Sequence, residues 1–176
     1  MITLSEAQLT EWLSPLMWPS LRTLAVFTSA PVFSSRAFPV RARIALAFFV
    51  ALAAQPTLGS QPVISITGAG AMGAVVQQVG VGLAIGFVVR VVFAAVELAG
   101  EVVGFQMGLN FASFFDPSLN TQSSAVARFF GQMASFMFVV MNGPMLVLMA
   151  VLTSFVSFPV DQNFLEALKH MKIVDL

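Results

Sequence analysis

Three charged side chains lie in a strongly apolar part of this sequence, and their spacing limits what chemistry they can do. Arg90, Glu97 and Glu101 belong to RVVFAAVELAGEVVGFQMGLNFASFFDP, residues 90–117. On a helix at about 100° per residue, Arg90, Ala94, Glu97, Glu101, Gly104 and Gly108 share one stripe, with Val92, Val96, Ala99 and Val103 opposite. A charge at mid-membrane costs ~2.5–3.5 kcal/mol even on the gentler insertion scales, so this stripe should face protein or water rather than lipid. Glu97 and Glu101 are like charges one turn apart, so at least one needs a proton or an outside cation. Arg90 is about two turns from Glu97 on a straight helix, too far to supply it. Arg128 or another subunit is the better source. A proton relay, pairing between helices or subunits, and a simple aqueous boundary are all compatible with these residues.

Other chemistry is poorly represented. The chain has no cysteine, which excludes disulfides, thiol catalysis and thiolate metal sites. Its one histidine, His170, lies in the tail, and no Ser-His-Asp, metal-binding or phosphate-binding constellation occurs. Gly68-Ala69-Gly70-Ala71-Met72-Gly73 matches G-x-G-x-x-G, but a dinucleotide site needs an acid roughly 20 positions on in a βαβ unit. That position falls among Val88–Phe93, so a glycine-rich start to a membrane helix is the better account. The expectation is a protein that is not an enzyme and uses no cofactor and no metal.

The elements that carry these residues are membrane segments. Hydrophobic residues make up 58% of the chain and charged residues 9%, against ~25% charged in soluble domains. Mean hydropathy is +0.91. No charge occurs from Ile44 to Val89 or from Phe129 to Val160, and each run exceeds the ~20 residues that cross a bilayer core. With a net charge of zero there is no electrostatic case for nucleic acid. The start, MITLSEAQLTEWLSPL, has no basic region and carries Glu6 and Glu11, so it is not read as a cleavable signal peptide.

Taken in order, residues 1–35 are expected to hold a short helix over 4–14 and a first hydrophobic helix, Leu21–Phe33, which contains Arg22 and is disturbed at its end by Pro31. Trp12 and Trp18 flank Pro15 and Pro19 and suit either a membrane interface or a core. Residues 36–62 are a basic loop (Arg36, Arg41, Arg43), cytoplasmic by the positive-inside rule, and a short apolar segment, Ile44–Pro56, half-buried or tilted. Residues 63–117 form long glycine-rich helices, interrupted by Gln77 and Gln78, with no turn signal at Val89–Arg90. Gly82 and Gly86 make a small-xxx-small surface for another helix, and Gly100, Gly104 and Gly108 extend the close-packing set. Residues 118–160 are a helical hairpin turning at Asn142-Gly143-Pro144, and residues 161–176 are an amphipathic tail. Phe111, Phe114 and Phe115, just before Asp116-Pro117, either form a water-excluding constriction or pack the hairpin.

FTSAPVFSSRAFPVRARIALAFFVALAAQP, ELAGEVVGFQMGL, FFDP and MNGPMLVLMAVLTSFVSFP occur in this order, and together they resemble the FliR family of flagellar biosynthesis proteins. This is an inner-membrane export-gate family shared with virulence type III secretion. The likeness covers nearly all of residues 5–160. Its most specific parts are APVFSSRAFPVRAR, the AGEVVGFQMG stripe with its DP, and Ser154, Ser157 and Pro159. The resemblance implies an all-α fold of integral membrane helical hairpins. It implies a non-enzymatic subunit that assembles with FliP and FliQ, beside an export-switch membrane protein, in the bacterial inner membrane at the flagellar basal body. Unfolded flagellar substrates would pass through the assembly. It also implies a pore plug over residues 108–122, built on Phe111, Phe114, Phe115, Asp116 and Pro117. Two departures stand out. Pro144 replaces a frequent histidine, and the sequence ends where family members continue into a last hydrophobic hairpin, as in a chain shortened at its C-terminus.

Overall fold

The structure, a computed structural model, describes residues 6–35, 38–58, 70–109 and 124–161. Among these residues there are six helices and no strand: α1 (Glu6–Ser29), α2 (Pro31–Ser34), α3 (Val40–Leu58), α4 (Ala71–Gln106), α5 (Ala125–Val140) and α6 (Gly143–Ser157). The expected all-α architecture is therefore present. Residues 110–122 of the plug segment, residues 162–176 of the tail, and Gly68 and Ala69 of the G-x-G-x-x-G stretch lie outside the described residues.

Two separate helices were expected before residue 33, broken around Pro15 and Pro19. Instead α1 runs unbroken through both prolines. Proline has no N–H, so Pro19 cannot bond the carbonyl of Pro15 one turn earlier. That carbonyl accepts a hydrogen bond from Gln55 Nε2 of α3 at 2.5 Å. The Pro19 carbonyl in turn accepts from Thr23 Oγ1 at 2.9 Å. At Pro19 the helix continues because the Gln55 side chain supplies the donor that the imino acid removes. It ends at Ser29, and Pro31 starts the single turn of α2 at the position where a missing N–H costs nothing.

The basic stretch is less of a loop than its composition suggests. Arg41 and Arg43 are already in the first turn of α3, whose buried face is alanine at Ala47, Ala51 and Ala54. These small residues allow close approach of α3 to α1.

α4 has 36 residues and passes Val89–Arg90 without interruption. By length and composition it can cross a membrane. At ~1.5 Å per residue it is roughly 54 Å long, well beyond a ~30 Å hydrocarbon core. Its end is defined by Gly108, whose φ of 72° is in the left-handed region. Gly108 N–H bonds to the Phe105 carbonyl at 3.0 Å and Leu109 N–H to the Gly104 carbonyl at 3.1 Å. This paired pattern satisfies carbonyls that have no partner within the helix.

The chain divides into two compact units, one of residues 1–86 with 147–176 and one of residues 87–146. In the first, Trp18, Ala74 and Val160 form a core with Met17, Leu21, Ala71 and Val75 against it. Trp18 is thus a core residue, and its Nε1 donates to Ser14 Oγ at 3.0 Å. In the second, the later half of α4 packs on α5, with the rings of Phe93 and Phe138 edge to face at 5.5 Å. Ser124 caps α5, its side chain accepting from the Ala127 N–H. Asn142, at φ 56°, makes the turn into α6, and Gly143 follows it where a Cβ would collide with the Phe138 ring.

Candidate functional site

In the first unit the functional candidate is built around Arg22. It lies on α1, fully buried at 0% exposure. Its Nε donates to Gln78 Oε1 of α4 at 2.8 Å. Nη1 donates to Ser154 Oγ of α6 at 3.0 Å, and Nη2 to the Phe158 carbonyl at 2.7 Å. The guanidinium also stacks on Phe155, with Cζ 4.0 Å from the ring centroid, a favourable cation–π placement away from water.

A second tier extends this network. Gln78 Nε2 donates to Gln77 Oε1 at 3.2 Å, and that same oxygen accepts from the Asp161 N–H at 2.9 Å. Gln77 Nε2 donates to the Pro159 carbonyl at 3.0 Å. Ser154, while accepting from Arg22, donates to the Val151 carbonyl at 2.6 Å. The segment that leaves α6, from Phe158 to Asp161, is therefore fastened by side chains of α1 and α4.

The chemistry of this site is that of a clamp. A guanidinium stays protonated and has no acceptor, so it cannot shuttle protons. Its planar fork offers several fixed donors, which suits joining three chain segments at once. Burial of a charge is costly unless its donors are satisfied, and here each nitrogen of the fork has an acceptor.

The glycines set the helix spacing around the clamp. A Cβ at Gly82 would lie 2.5 Å from the Arg22 carbonyl oxygen and 2.6 Å from Ala25 Cβ. At Gly86 it would lie 1.8 Å from Ser29 Oγ. Both distances are far inside van der Waals contact, so α4 rests directly on the α1 backbone.

In the second unit, the stripe singled out in the sequence divides into separate roles. Arg90 is exposed. Glu97 lies against Gly131 of α5, where a Cβ would come within 2.8 Å of its Oε1. Glu101 Oε1 accepts from the Ser124 N–H at 2.8 Å. This places a carboxylate at the start of α5, where the helix dipole favours negative charge. Arg128 is in the first turn of α5 and exposed. Gly100 is pressed against Ala127 and Phe130, and Gly104 is buried. Gly108 differs from these: nothing lies within 4 Å of where its Cβ would be, and its conformation ends the helix. It is a helix terminator rather than a packing glycine. Phe111, Phe114, Phe115, Asp116 and Pro117 are outside the described residues.

The Arg22 network is the part that sequence reasoning missed. In the sequence, Arg22, Gln77 and Gln78 read only as polar residues within apolar helices. That three such interruptions fall in otherwise apolar segments was the available signal for a shared buried partner. Among the described residues no group of three or more His, Asp or Glu side chains gathers to hold a metal ion.

Against known proteins, residues 13–175 match the family of bacterial export proteins, family 1. The chain belongs to this family. It is 35% identical to the flagellar biosynthetic protein FliR of Escherichia coli over 162 residues, covering 91% of this chain and 61% of that protein. It is 33% identical to the flagellar biosynthetic protein FliR of Bacillus subtilis over 144 residues, covering 82% of this chain and 55% of that protein. It is 31% identical to the Yop proteins translocation protein T of Yersinia pestis over 144 residues, covering 81% of this chain and 55% of that protein. The chain thus spans about three fifths of the length of the first of these relatives. The match includes both Arg22 and the Glu97–Gly104 stripe, so clamp and stripe belong to the family region.

Proposed function

We propose that this chain is a non-enzymatic membrane subunit of a flagellar type III protein export gate, acting in the bacterial inner membrane at the flagellar basal body. The observation that carries this reading is the nearly end-to-end family match, with 35% identity to a flagellar biosynthetic protein over 91% of the chain. Its partners are then FliP, FliQ and the export-switch membrane protein, and its cargo is unfolded flagellar subunits. An apolar α4 and many exposed apolar side chains on α3, α4, α5 and α6 agree with surroundings of lipid and partner helices.

In this reading the segment after α4, with Phe111, Phe114, Phe115, Asp116 and Pro117, closes the pore against water and ions. Glu97, Glu101, Arg90 and Arg128 serve contacts between helices and subunits. The Glu101 bond to the start of α5 supports that role over proton relay.

The test is complementation. The full chain is expressed in a motile bacterium lacking its own FliR, and swimming and secreted flagellar subunits are measured, together with co-purification of FliP and FliQ. Restored secretion supports the proposal. Stable isolation without partners, coupled to ion-driven uptake that Glu97→Gln abolishes, would instead identify a small-molecule or proton transporter. The likeness to the Yersinia protein motivates a virulence secretion gate as the second reading. Rescue of virulence substrates rather than flagellar ones would select it.

A further inference from the structure

Helix α3 has two contrasting faces. Ala47, Ala51 and Ala54 are at most 2% exposed, while Phe48, Phe49 and Leu52 are 46%, 63% and 51% exposed. At about 100° per residue, Arg41 falls on the outward side with Phe48 and Leu52, and it too is exposed. From Ile44 to Ala54 no side chain is polar. At ~1.5 Å per residue that stretch is roughly 16 Å, about half of a ~30 Å hydrocarbon core. The polar residue at its far end, Gln55, turns inward to the Pro15 carbonyl. The outward face is therefore a cation followed by one leaflet's depth of apolar surface.

The charge around it is one-sided. Arg43 shares the same first turn but lies about 200° round the helix, on the side of Ala47 and Ala54; its Nη2 donates to the Phe38 carbonyl at 3.3 Å. Its Nε is buried without a hydrogen-bond partner among the described residues. Between Glu11 and Glu97 the sequence has five arginines and no acid. Nothing nearby in sequence offers these guanidinium groups a carboxylate.

We infer that this face of α3 docks on one leaflet of a bilayer through anionic phospholipid. Arg41 takes the headgroup phosphate, and Phe48, Phe49 and Leu52 lie against the acyl chains. The planar donors of arginine match phosphate oxygens. A basic side chain near an anionic surface favours binding about fivefold. This inference does not require the export role, so either can fail without the other.

The test uses the purified full chain in nanodiscs of phosphatidylcholine with or without phosphatidylglycerol. Co-retained lipid is counted by native mass spectrometry, and helicity in the same discs reports folding. The wild type should retain phosphatidylglycerol preferentially. Arg41→Gln should reduce that preference about fivefold, Arg43→Gln, on the other side of the helix, should reduce it far less, and Arg41→Lys should keep most of it. Equal retention of the two lipids by the wild type overturns the inference, as does a preference that survives Arg41→Gln. A photo-cross-linking residue at Phe49 should label lipid in native membranes. Labelling of a protein helix there instead would identify a partner subunit as the occupant and sink the lipid reading.

Discussion

Arg22 Nε and Gln78 Oε1 are 2.8 Å apart and join two helices that are 56 residues apart in sequence. Both side chains are buried. Their pairing is the centre of the first unit, because Arg22 also reaches Ser154 and the Phe158 carbonyl. Removing Arg22 takes the side-chain donor from buried Gln78 Oε1 and from the Phe158 carbonyl, which is costlier than losing a single exposed bond. Arg22→Ala should destabilise the protein by roughly 3 kcal/mol or more. Thermal unfolding in detergent checks this. Arg22→Lys should be intermediate, since an ammonium keeps the charge but cannot present the same planar fork. A wild-type melting curve for Arg22→Ala would mean that the clamp carries little stability.

Gly82 and Gly80 provide a contrast on one helix. A Cβ at Gly82 meets the backbone of α1 at 2.5 Å, whereas at Gly80 it meets nothing within 4 Å. Gly82→Ala must push α4 off α1 and should cost about 1–3 kcal/mol. Gly80→Ala should be neutral or stabilising by up to ~1 kcal/mol, since it only improves helix propensity. Gly86→Ala should be milder than Gly82→Ala. Its nearest obstacle, the Ser29 hydroxyl, can rotate at the loss of its bonds to the Ala25 and Val26 carbonyls, which leaves the Ser29 Cβ at 2.8 Å, whereas Gly82 meets a backbone oxygen at 2.5 Å. Melting temperatures of the three variants give the ranking directly.

At the other unit, Glu101 holds the first residue before α5 through the Ser124 N–H, and the Ser124 side chain caps the helix at Ala127. Ser124→Ala should cost about 0.5–2 kcal/mol. Glu101→Gln keeps an acceptor oxygen, so it should lose less than Glu101→Ala, which removes it. Amide exchange in the first turn of α5 is the sensitive readout. If Glu101→Ala leaves that turn as protected as in the wild type, the carboxylate does not anchor it.

Much of this architecture could be read from local pattern. The charge-free runs marked the apolar helices, and Asn142-Gly143-Pro144 marked a turn that the structure makes at Asn142 with a left-handed backbone. Other features depended on partners far away in the chain. Pro15 and Pro19 read as a break because proline removes local hydrogen bonds, and nothing local reveals that Gln55 replaces one of them. Arg22 read as a stray charge because its acceptors are up to 136 residues distant. Gly108 continued the spacing of Gly100 and Gly104, yet backbone conformation rather than packing decides its role. Helical periodicity identifies faces, but it cannot show where a face stops.

The bond from Gln55 to the Pro15 carbonyl leads to a coupled prediction. Pro19 deprives that carbonyl of its usual helical donor, and Gln55 Nε2 supplies one from α3. Gln55→Met keeps the side-chain volume but withdraws the donor, and should cost about 1 kcal/mol. Pro19→Ala returns an N–H to α1 while opening space at a fully buried position, so by itself it has a mixed effect. The informative quantity is the interaction between the two changes. With Ala at position 19 the Pro15 carbonyl bonds within its own helix, and loss of the Gln55 amide should then cost much less than in the wild type. A double-mutant cycle by thermal or denaturant unfolding should show a coupling of about 0.5–1 kcal/mol. Additive effects would mean that the Gln55 amide stabilises α3 independently of the proline, and the account of why α1 stays unbroken would have to change.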